Sequence, residues 1–266
     1  MPELPEVETV VRQLRPDCVG RTIVRATLRW KRHVATPSAT AFARRIQGQR
    51  IQSINRRAKY LVFGLTTDFL LIHLKMSGDL TVVPLTTPPD KHAHTVFTLD
   101  NGTELRFSDT RKFGRVYLVR DPDMITGHLG PEPLEDNFTA KQLGNILTSH
   151  HRQLKPLLLD QTALAGVGNI YADESLHRAK LHPLRLSDSL TAKEVSALWR
   201  SLRLTLNAAI QNHGSSIDWM YRGGQHQNHL RAYDREGQPC PVCRTPIRRI
   251  LVGQRSTHFC PTCQQL

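Results

Sequence analysis

Four of the five cysteines in this 266-residue chain stand at metal-ligand spacing. Cys240-Pro241-Val242-Cys243 and Cys260-Pro261-Thr262-Cys263 are two Cys-x-x-Cys pairs with 16 residues between them. Each pair can form one knuckle, and four thiolates close a tetrahedral Zn²⁺ site with no open coordination position. The expected role is therefore one structural zinc per chain. Arg244, Arg248, Arg249 and Arg255 fall between the pairs. A zinc-stapled hairpin carrying arginines could grip a polyanion; the plainer reading is a solvated face on a folding staple. Cys18 stands alone, and unpaired cysteines at metal spacing suit a reducing cytosol.

A second kind of chemistry sits at the start of the chain, Met1-Pro2-Glu3-Leu4-Pro5-Glu6-Val7-Glu8. If Met1 is removed, the nitrogen of Pro2 becomes a secondary amine, a nucleophile that no internal residue can supply. An α-amino group titrates near ~8, against about 10.4 for a lysine, so more of it is unprotonated at neutral pH. Leu4, Val7, Val11 and Leu14 share one helical face, and Pro5 suits a first turn. A helix beginning there aims its positive end at the amine and disfavours the protonated form. Glu3 and Glu6 act in the opposite sense and can shuttle protons. Taken alone, such a start is only a helix cap.

These groups need elements to hold them. Residues 19–120 read mainly as strands. Tyr60–Leu65 and Phe69–Leu74 are apolar runs across a short turn, Thr95–Leu99 and Thr103–Phe107 flank the hairpin signal Asp100-Asn101-Gly102, and Val116–Val119 is a further strand. Short strands with tight turns point to a β-sandwich. Residues 130–136, rich in proline and acid, read as a linker. Beyond it the period becomes helical over 139–149, 153–161, 168–180 and 191–213, with a capping box at Thr191 and Glu194 and a glycine turn at 165–169. The fold class is α+β.

The chain carries 36 Lys+Arg against 23 Asp+Glu, a net charge of +13. Residues 1–136 hold 20 basic and 15 acidic side chains, and 137–266 hold 16 and 8, so the halves contribute +5 and +8. That balance predicts attraction to a polyanion and is the pattern expected if DNA lies between the halves. No apolar run reaches membrane-spanning length, and the acidic N-terminus is not a signal or transit peptide. The expectation is a soluble, intracellular protein.

Together the motifs resemble a known family. They are Pro2 to Thr9, Arg56-Arg57-Ala58-Lys59-Tyr60, His73-Leu74-Lys75-Met76-Ser77-Gly78, Asp109-Thr110-Arg111-Lys112-Phe113-Gly114, Lys155-Pro156, Gly166 to Tyr171, Gln254-Arg255 and the cysteine pairs. In this order they resemble bacterial formamidopyrimidine-DNA glycosylase, also called DNA-(apurinic or apyrimidinic site) lyase, along essentially the whole chain. The resemblance implies a catalytic β-sandwich with an N-terminal helix over 1–129 and a linker over 130–136. It then implies a helix-two-turns-helix DNA-binding domain over 137–228 and a zinc finger over 229–266.

It further implies base-excision repair of oxidised purines (8-oxoguanine and formamidopyrimidines), with Pro2 as nucleophile and Glu3 as proton donor. Lys59 would serve β-elimination, Arg255 would hold the lesion phosphate and serve δ-elimination, and Glu6 and Glu174 would support catalysis. Met76, Arg111 and Phe113 match an intercalating triad that fills the hole left by an extruded base. His92, Arg152, Lys155, Asn169 and Arg255 become candidate phosphate contacts, Asn169 at a helix N-terminus. Double-stranded DNA with an oxidised base or abasic site is the implied partner, for a monomeric, cytoplasmic, nucleoid-associated bacterial enzyme. Residues 215–232 depart from the family pattern where a loop should cap the flipped base, and Lys112 replaces a commoner arginine. The alternatives are a sister glycosylase for oxidised pyrimidines and a non-catalytic binder of damaged DNA. Activity on thymine glycol would mark the first, and DNA binding without a covalent adduct the second.

Overall fold

The N-terminal run forms helix α1, Leu4–Cys18, and buries Leu4, Val7, Val10, Val11, Leu14 and Cys18. A computed structural model describes residues 1–88, 90–216 and 223–266. Two compact units divide the chain, one holding Met1–His128 and the other Leu129–Ser215 with Gly224–Leu266.

In the first unit, α1 is followed by β1 (Ile23–Leu28), β2 (Val34–Thr36), α2 (Ala39–Ile46), β3 (Ile51–Arg57), β4 (Tyr60–Leu65), β5 (Phe69–His73), β6 (Gly78–Pro84), β7 (Ala93–Leu99), β8 (Thr103–Asp109), β9 (Arg115–Val119) and the short α3 (Asp123–Thr126). The strands make a four-stranded sheet, β1-β7-β8-β6, and a five-stranded sheet, β2-β9-β5-β4-β3. Inward side chains of both sheets share one core, including Ile54, Phe63 and Ile72 from one and Phe97, Leu105 and Phe107 from the other. This is the expected sandwich.

The helices have a defined job in it. α1 packs on β3 and β6, and α2 packs on β1 and β2. Each of those strands is the last in its sheet. One helix therefore covers each side where two sheet edges meet and would otherwise offer unpaired backbone groups. Arg15 of α1 donates from Nε to the Ile54 carbonyl on β3 at 2.7 Å, capping that edge directly. α2 was not anticipated among the strands. Its eight residues bury only Phe42 and Ile46, too few turns for a helical period to stand out. Cys18 lies in the core, where burial and neighbouring Asp17 push its thiol up to about 12. It is a small hydrophobe there, with no thiolate chemistry at neutral pH.

The second unit contains α4 (Ala140–Thr148), α5 (Leu154–Leu159), α6 (Asn169–Ala179), α7 (Ala192–Gln211) and the hairpin β10 (Arg248–Val252) with β11 (Arg255–Phe259). α7 opens with the expected capping box: Thr191 N–H donates to Glu194 Oε2 at 2.8 Å, and Glu194 N–H donates back to Thr191 Oγ1 at 3.3 Å. Two successive turns join α5 to α6. In the first, Leu164 N–H donates to Asp160 O at 2.9 Å. In the second, Gln161 receives Gly166 N–H at 2.9 Å and donates to Val167 O at 2.9 Å. Gly166 takes a φ of 92°, open to glycine at little cost.

Residues 130–136, read from composition as a linker, pack within this second unit. Glu132 is buried, Ala165 N–H donates to Pro131 O at 2.9 Å, and Arg203 Nη1 donates to the carbonyls of Pro133 and Glu135 at 2.8 and 2.9 Å. Proline and acid content report backbone stiffness and charge; they do not report whether carbonyls find a partner. The zinc-type hairpin also belongs to this unit, with β11 packed on α6.

Candidate active site and nucleic-acid interface

At the N-terminus, Glu3 is the N-cap of α1 and closes a capping box with Glu6, whose Oε2 accepts Glu3 N–H at 2.8 Å. Glutamate is a poor choice for an N-cap, where Ser, Thr, Asp or Asn is preferred. Both carboxylates are nonetheless buried, at 3% and 2% exposure. A locally unfavourable choice held inside the fold is the mark of a working site. Pro2 is half-buried beside them, and Met1 is exposed.

Lys59 is buried in the two-residue turn between β3 and β4, where Arg57 pairs with Tyr60. Ala58, the first turn residue, has a φ of 51°, an uncommon backbone state for any residue with a Cβ. Arg56 holds this turn to α1: it donates to Glu8 Oε2 at 3.2 Å and to Ala58 O at 3.1 Å. The lysine turn and the first turns of α1 are thus fastened together. His73 lies nearby with its ring 4.6 Å from that of Tyr60. Burial, with the charges of Lys75 and Lys59, lowers its pKa to about 3, so it is neutral.

The three intercalation candidates occupy two connected loops of the same unit. Met76 and Phe113 are among its exposed large apolar side chains, at 40% and 47%. The Arg111 guanidinium lies 5.0 Å from the centre of the Phe113 ring. Asp109, quoted in the sequence only as part of a motif and with no role assigned, holds the loops together. Its buried carboxylate accepts from Ser77 Oγ of the Met76 loop, from Arg111 N–H at 3.2 Å and from Gly114 N–H at 2.7 Å. Burial alone would raise its pKa, but the His33 ring 3.7 Å away and the hydrogen bonds from Ser77, Gly114 and Arg111 outweigh it and hold the group far below the ordinary carboxylate value. Asp109→Ala strands three donors and is expected to destabilise the first unit by about 3 kcal/mol. Urea titration above pH 5 checks this. Because the folded pKa is depressed, the contribution is complete above the ordinary value of 3.8 and fades as pH falls towards the folded one. The difference between wild type and variant should therefore shrink in acid.

His92, on the segment leading into β7, is half-buried; its N–H donates to Asp90 Oδ1 at 2.9 Å and its ring stands 6.5 Å from His94.

In the second unit, the four cysteine Sγ atoms lie within 4.8 Å of one another. Tetrahedral Zn–S bonds of about 2.3 Å require S···S separations of about 3.8 Å. Cys240 and Cys263 are at 3.9 Å and Cys243 and Cys260 at 3.3 Å, so the thiolates fit one closed, structural zinc. Val242 N–H points at Cys240 Sγ and Cys263 N–H at Cys260 Sγ, both at 3.4 Å, as knuckle amides do towards bound thiolates.

Arg255 is exposed and follows the hairpin turn Gly253-Gln254, both at positive φ. The next residue is pinned. Ser256 O accepts from Lys155 Nζ at 2.8 Å and from Asn169 Nδ2 at 3.1 Å, and His258 N–H donates to Asp173 Oδ2 at 2.8 Å. Lys155 is fully buried and paired with Asp173 at 2.6 Å, so its ammonium orders the strand beside Arg255. Sequence spacing identified the lysine but not its buried partner.

Asn169 opens α6, and its Oδ1 is buried without a hydrogen-bond partner among the described residues. Arg152 is exposed and pairs with Asp160 at 2.7 Å, which lowers the Asp160 pKa to about 2. Glu174 is buried and accepts the backbone N–H groups of Arg231, Ala232 and Tyr233 at 2.8–3.1 Å. Burial raises its pKa and those amides oppose the rise. It organises the 231–233 segment from inside the fold. Of the divergent stretch 215–232, residues 217–222 lie outside the described residues.

Family models match almost the whole chain: a formamidopyrimidine-DNA glycosylase N-terminal domain over residues 1–116, the H2TH domain of the same enzymes over 129–220, and a zinc finger found in FPG and IleRS over 237–266. A formamidopyrimidine-DNA glycosylase of Herpetosiphon aurantiacus is 48% identical over 99% of this chain and 100% of its own length, and one of Roseiflexus sp. is 46% identical over 100% of both. Among solved structures, MutM in complex with DNA containing carbocyclic 8-oxo-G superposes with a TM-score of 0.93 at 37% identity, covering all of both chains. Lactococcus lactis Fpg in complex with abasic-site DNA gives 0.94 at 36% with the same coverage. With its N-terminal capping box, two-turn helical unit and four-cysteine hairpin, the chain belongs to the formamidopyrimidine-DNA glycosylase family.

Proposed function

We propose that this chain is a bifunctional DNA glycosylase and AP lyase of base-excision repair, acting on oxidised purines in double-stranded DNA. The observation that carries the proposal is the buried Glu3–Glu6 capping box one residue beyond Pro2. Relatives that cover its whole length bear that enzyme's name, and structural relatives hold 8-oxo-G or abasic-site DNA.

With Met1 removed, the Pro2 nitrogen attacks the sugar C1′ and the C1′–N bond to the base breaks. Glu3 supplies the proton that accompanies the departing base. The attacking nitrogen gives up its proton, and its lone pair then expels O4′, which takes a proton as the sugar ring opens. The open-chain product is an iminium, necessarily charged because the amine is secondary; it draws electrons from C2′ when a proton leaves there. The C3′–O bond then breaks in β-elimination, with Lys59 placed for proton transfer. A second elimination breaks the C5′–O bond, for which Arg255 holds the phosphate. Met76, Arg111 and Phe113 fill the stack as the base leaves it, which offsets an unstacking cost of a few kcal/mol. Arg152 and Asn169 serve phosphates, whereas Lys155 and Glu174 act as positioning residues. Zinc, when bound, supplies only the tetrahedral tie that folds the hairpin carrying Arg255. The protein is read as a monomer working in the bacterial cytoplasm on the nucleoid; among the described residues no helix is long and apolar enough to cross a membrane.

The lesion class is tested by single-turnover cleavage of duplexes with 8-oxoguanine opposite cytosine or with thymine glycol. Faster cleavage of 8-oxoguanine is expected; equal or faster cleavage of thymine glycol points to the sister pyrimidine enzyme. Arg255→Ala should weaken DNA binding and lower the magnitude of the log K against log salt slope by about 0.9, the loss of one phosphate contact. An unchanged slope removes Arg255 from the phosphate set.

A further inference from the structure

α6 reaches the metal site through one side chain. His177 is buried in the last turn of this helix, and its Nε2 lies 3.3 Å from Cys240 Sγ. Its other ring nitrogen, Nδ1, is buried with no hydrogen-bond partner among the described residues. The ring is thus committed to the sulfur. A metal-bound thiolate has no proton to give, so the contact is a hydrogen bond only when the proton sits on Nε2. Four thiolates around Zn²⁺ carry a net double negative charge, and each N–H aimed at a sulfur offsets part of it. Cys240 Sγ receives one such donor from its own knuckle, Val242 N–H at 3.4 Å. His177 adds a second from a different element.

The same helix holds the other end of the module. Its Asn169 and Asp173 bind the backbone of Ser256 and His258 on β11. The cluster around the ligand cysteines, by contrast, is small: Ala232, Cys240, Ile247 and Cys260 are its buried members among the described residues. So small a core resists opening weakly, and a tie from α6 to a ligand sulfur acts where the module is least able to hold itself.

We infer that His177 is a positioning residue of the zinc centre: its Nε2–H donates to the Cys240 thiolate, orients that ligand and slows loss of the metal. The proposal rests on zinc binding by the four cysteines and is independent of the glycosylase reading.

The test compares zinc transfer from the full-length protein to a chromogenic chelator. His177→Phe keeps a planar ring of similar size and removes the donor; His177→Gln keeps an N–H donor. His177→Phe is expected to release zinc about tenfold faster, with His177→Gln recovering most of the loss. After cobalt substitution, the thiolate-to-metal charge-transfer band of His177→Phe should move to lower energy, which a lost packing contact alone would not cause. Release at the wild-type rate from His177→Phe, or equal acceleration in both variants, overturns the proposal. Should either variant fail to fold, wild-type protein loaded with the NMR-active cadmium isotope decides. A scalar coupling between the His177 Nε2 proton and the metal is expected, and its absence from an otherwise resolved ring spectrum rejects the hydrogen bond.

Discussion

A chain that keeps Met1 is expected to lose base excision and strand cleavage by about 10³-fold or more, the scale on which removal of a covalent nucleophile acts. The reason is electronic. Acylated by Met1, the Pro2 nitrogen is an amide whose lone pair is delocalised into the carbonyl. It cannot attack a sugar carbon or form an iminium. DNA binding should survive, because the groups proposed to hold DNA lie elsewhere: Met76, Arg111 and Phe113 on loops fixed by Asp109, and Arg255 on a hairpin fixed by Lys155, Asn169 and Asp173. A matched pair with and without Met1 should therefore bind a duplex bearing a non-cleavable abasic analogue equally well and differ only in turnover. Comparable turnover from both would place the nucleophile elsewhere.

Removing zinc is expected to have an effect of similar size through a different route. A buried cluster as small as Ala232, Cys240, Ile247 and Cys260, two of them ligand cysteines, contributes little against the ordering entropy of residues 237–266. A structural zinc site supplies about 10–16 kcal/mol of apparent binding energy at neutral pH, so in such a module metal binding and folding are one event. Chelation, or Cys260→Ser, should unfold the hairpin, release Arg255 from its fixed place and abolish DNA binding. The sandwich unit has its own core of both sheets and two helices and should remain folded. Far-UV circular dichroism, tryptophan fluorescence and a DNA-binding titration on one sample separate these outcomes. Retained DNA affinity in the metal-free protein would show that the finger is dispensable for binding.

Residues that act through covalent identity or short spacing were legible before any coordinates. The cysteine pairs, the Thr191–Glu194 box and the Asp100-Asn101-Gly102 hairpin each carry their signal within a few neighbours. What escaped depends on partners distant in the chain. The family resemblance offers Lys155 as a phosphate contact; its pairing with Asp173 and Ser256 O comes from the packing of α5, α6 and β11, which no local spacing reports. Asp109 looked like part of a motif, yet its work is to gather amides and a hydroxyl from two loops. α2 was hidden by its length, although Ser38, its N-cap, accepts Ala41 N–H at 3.4 Å and was a readable start signal. His177 stood in a helical pattern with nothing local to connect it to a cysteine 63 positions away. The sandwich followed from its strand pattern, but the reason for its two helices, covering paired sheet edges, became visible only with the strand order.

The central claim is that Pro2 is the nucleophile, and the site of a borohydride-trapped adduct tests it most directly. Borohydride delivers hydride to the iminium carbon and converts the transient bond into a stable amine. Protein shown by intact mass to lack Met1 is incubated with 8-oxoguanine duplex and borohydride, digested, and the modified peptide sequenced by mass spectrometry. One adduct per chain is expected, on the N-terminal nitrogen of Pro2. An adduct on Lys59 or another lysine, or no adduct from Met1-free protein that binds the duplex, would contradict it.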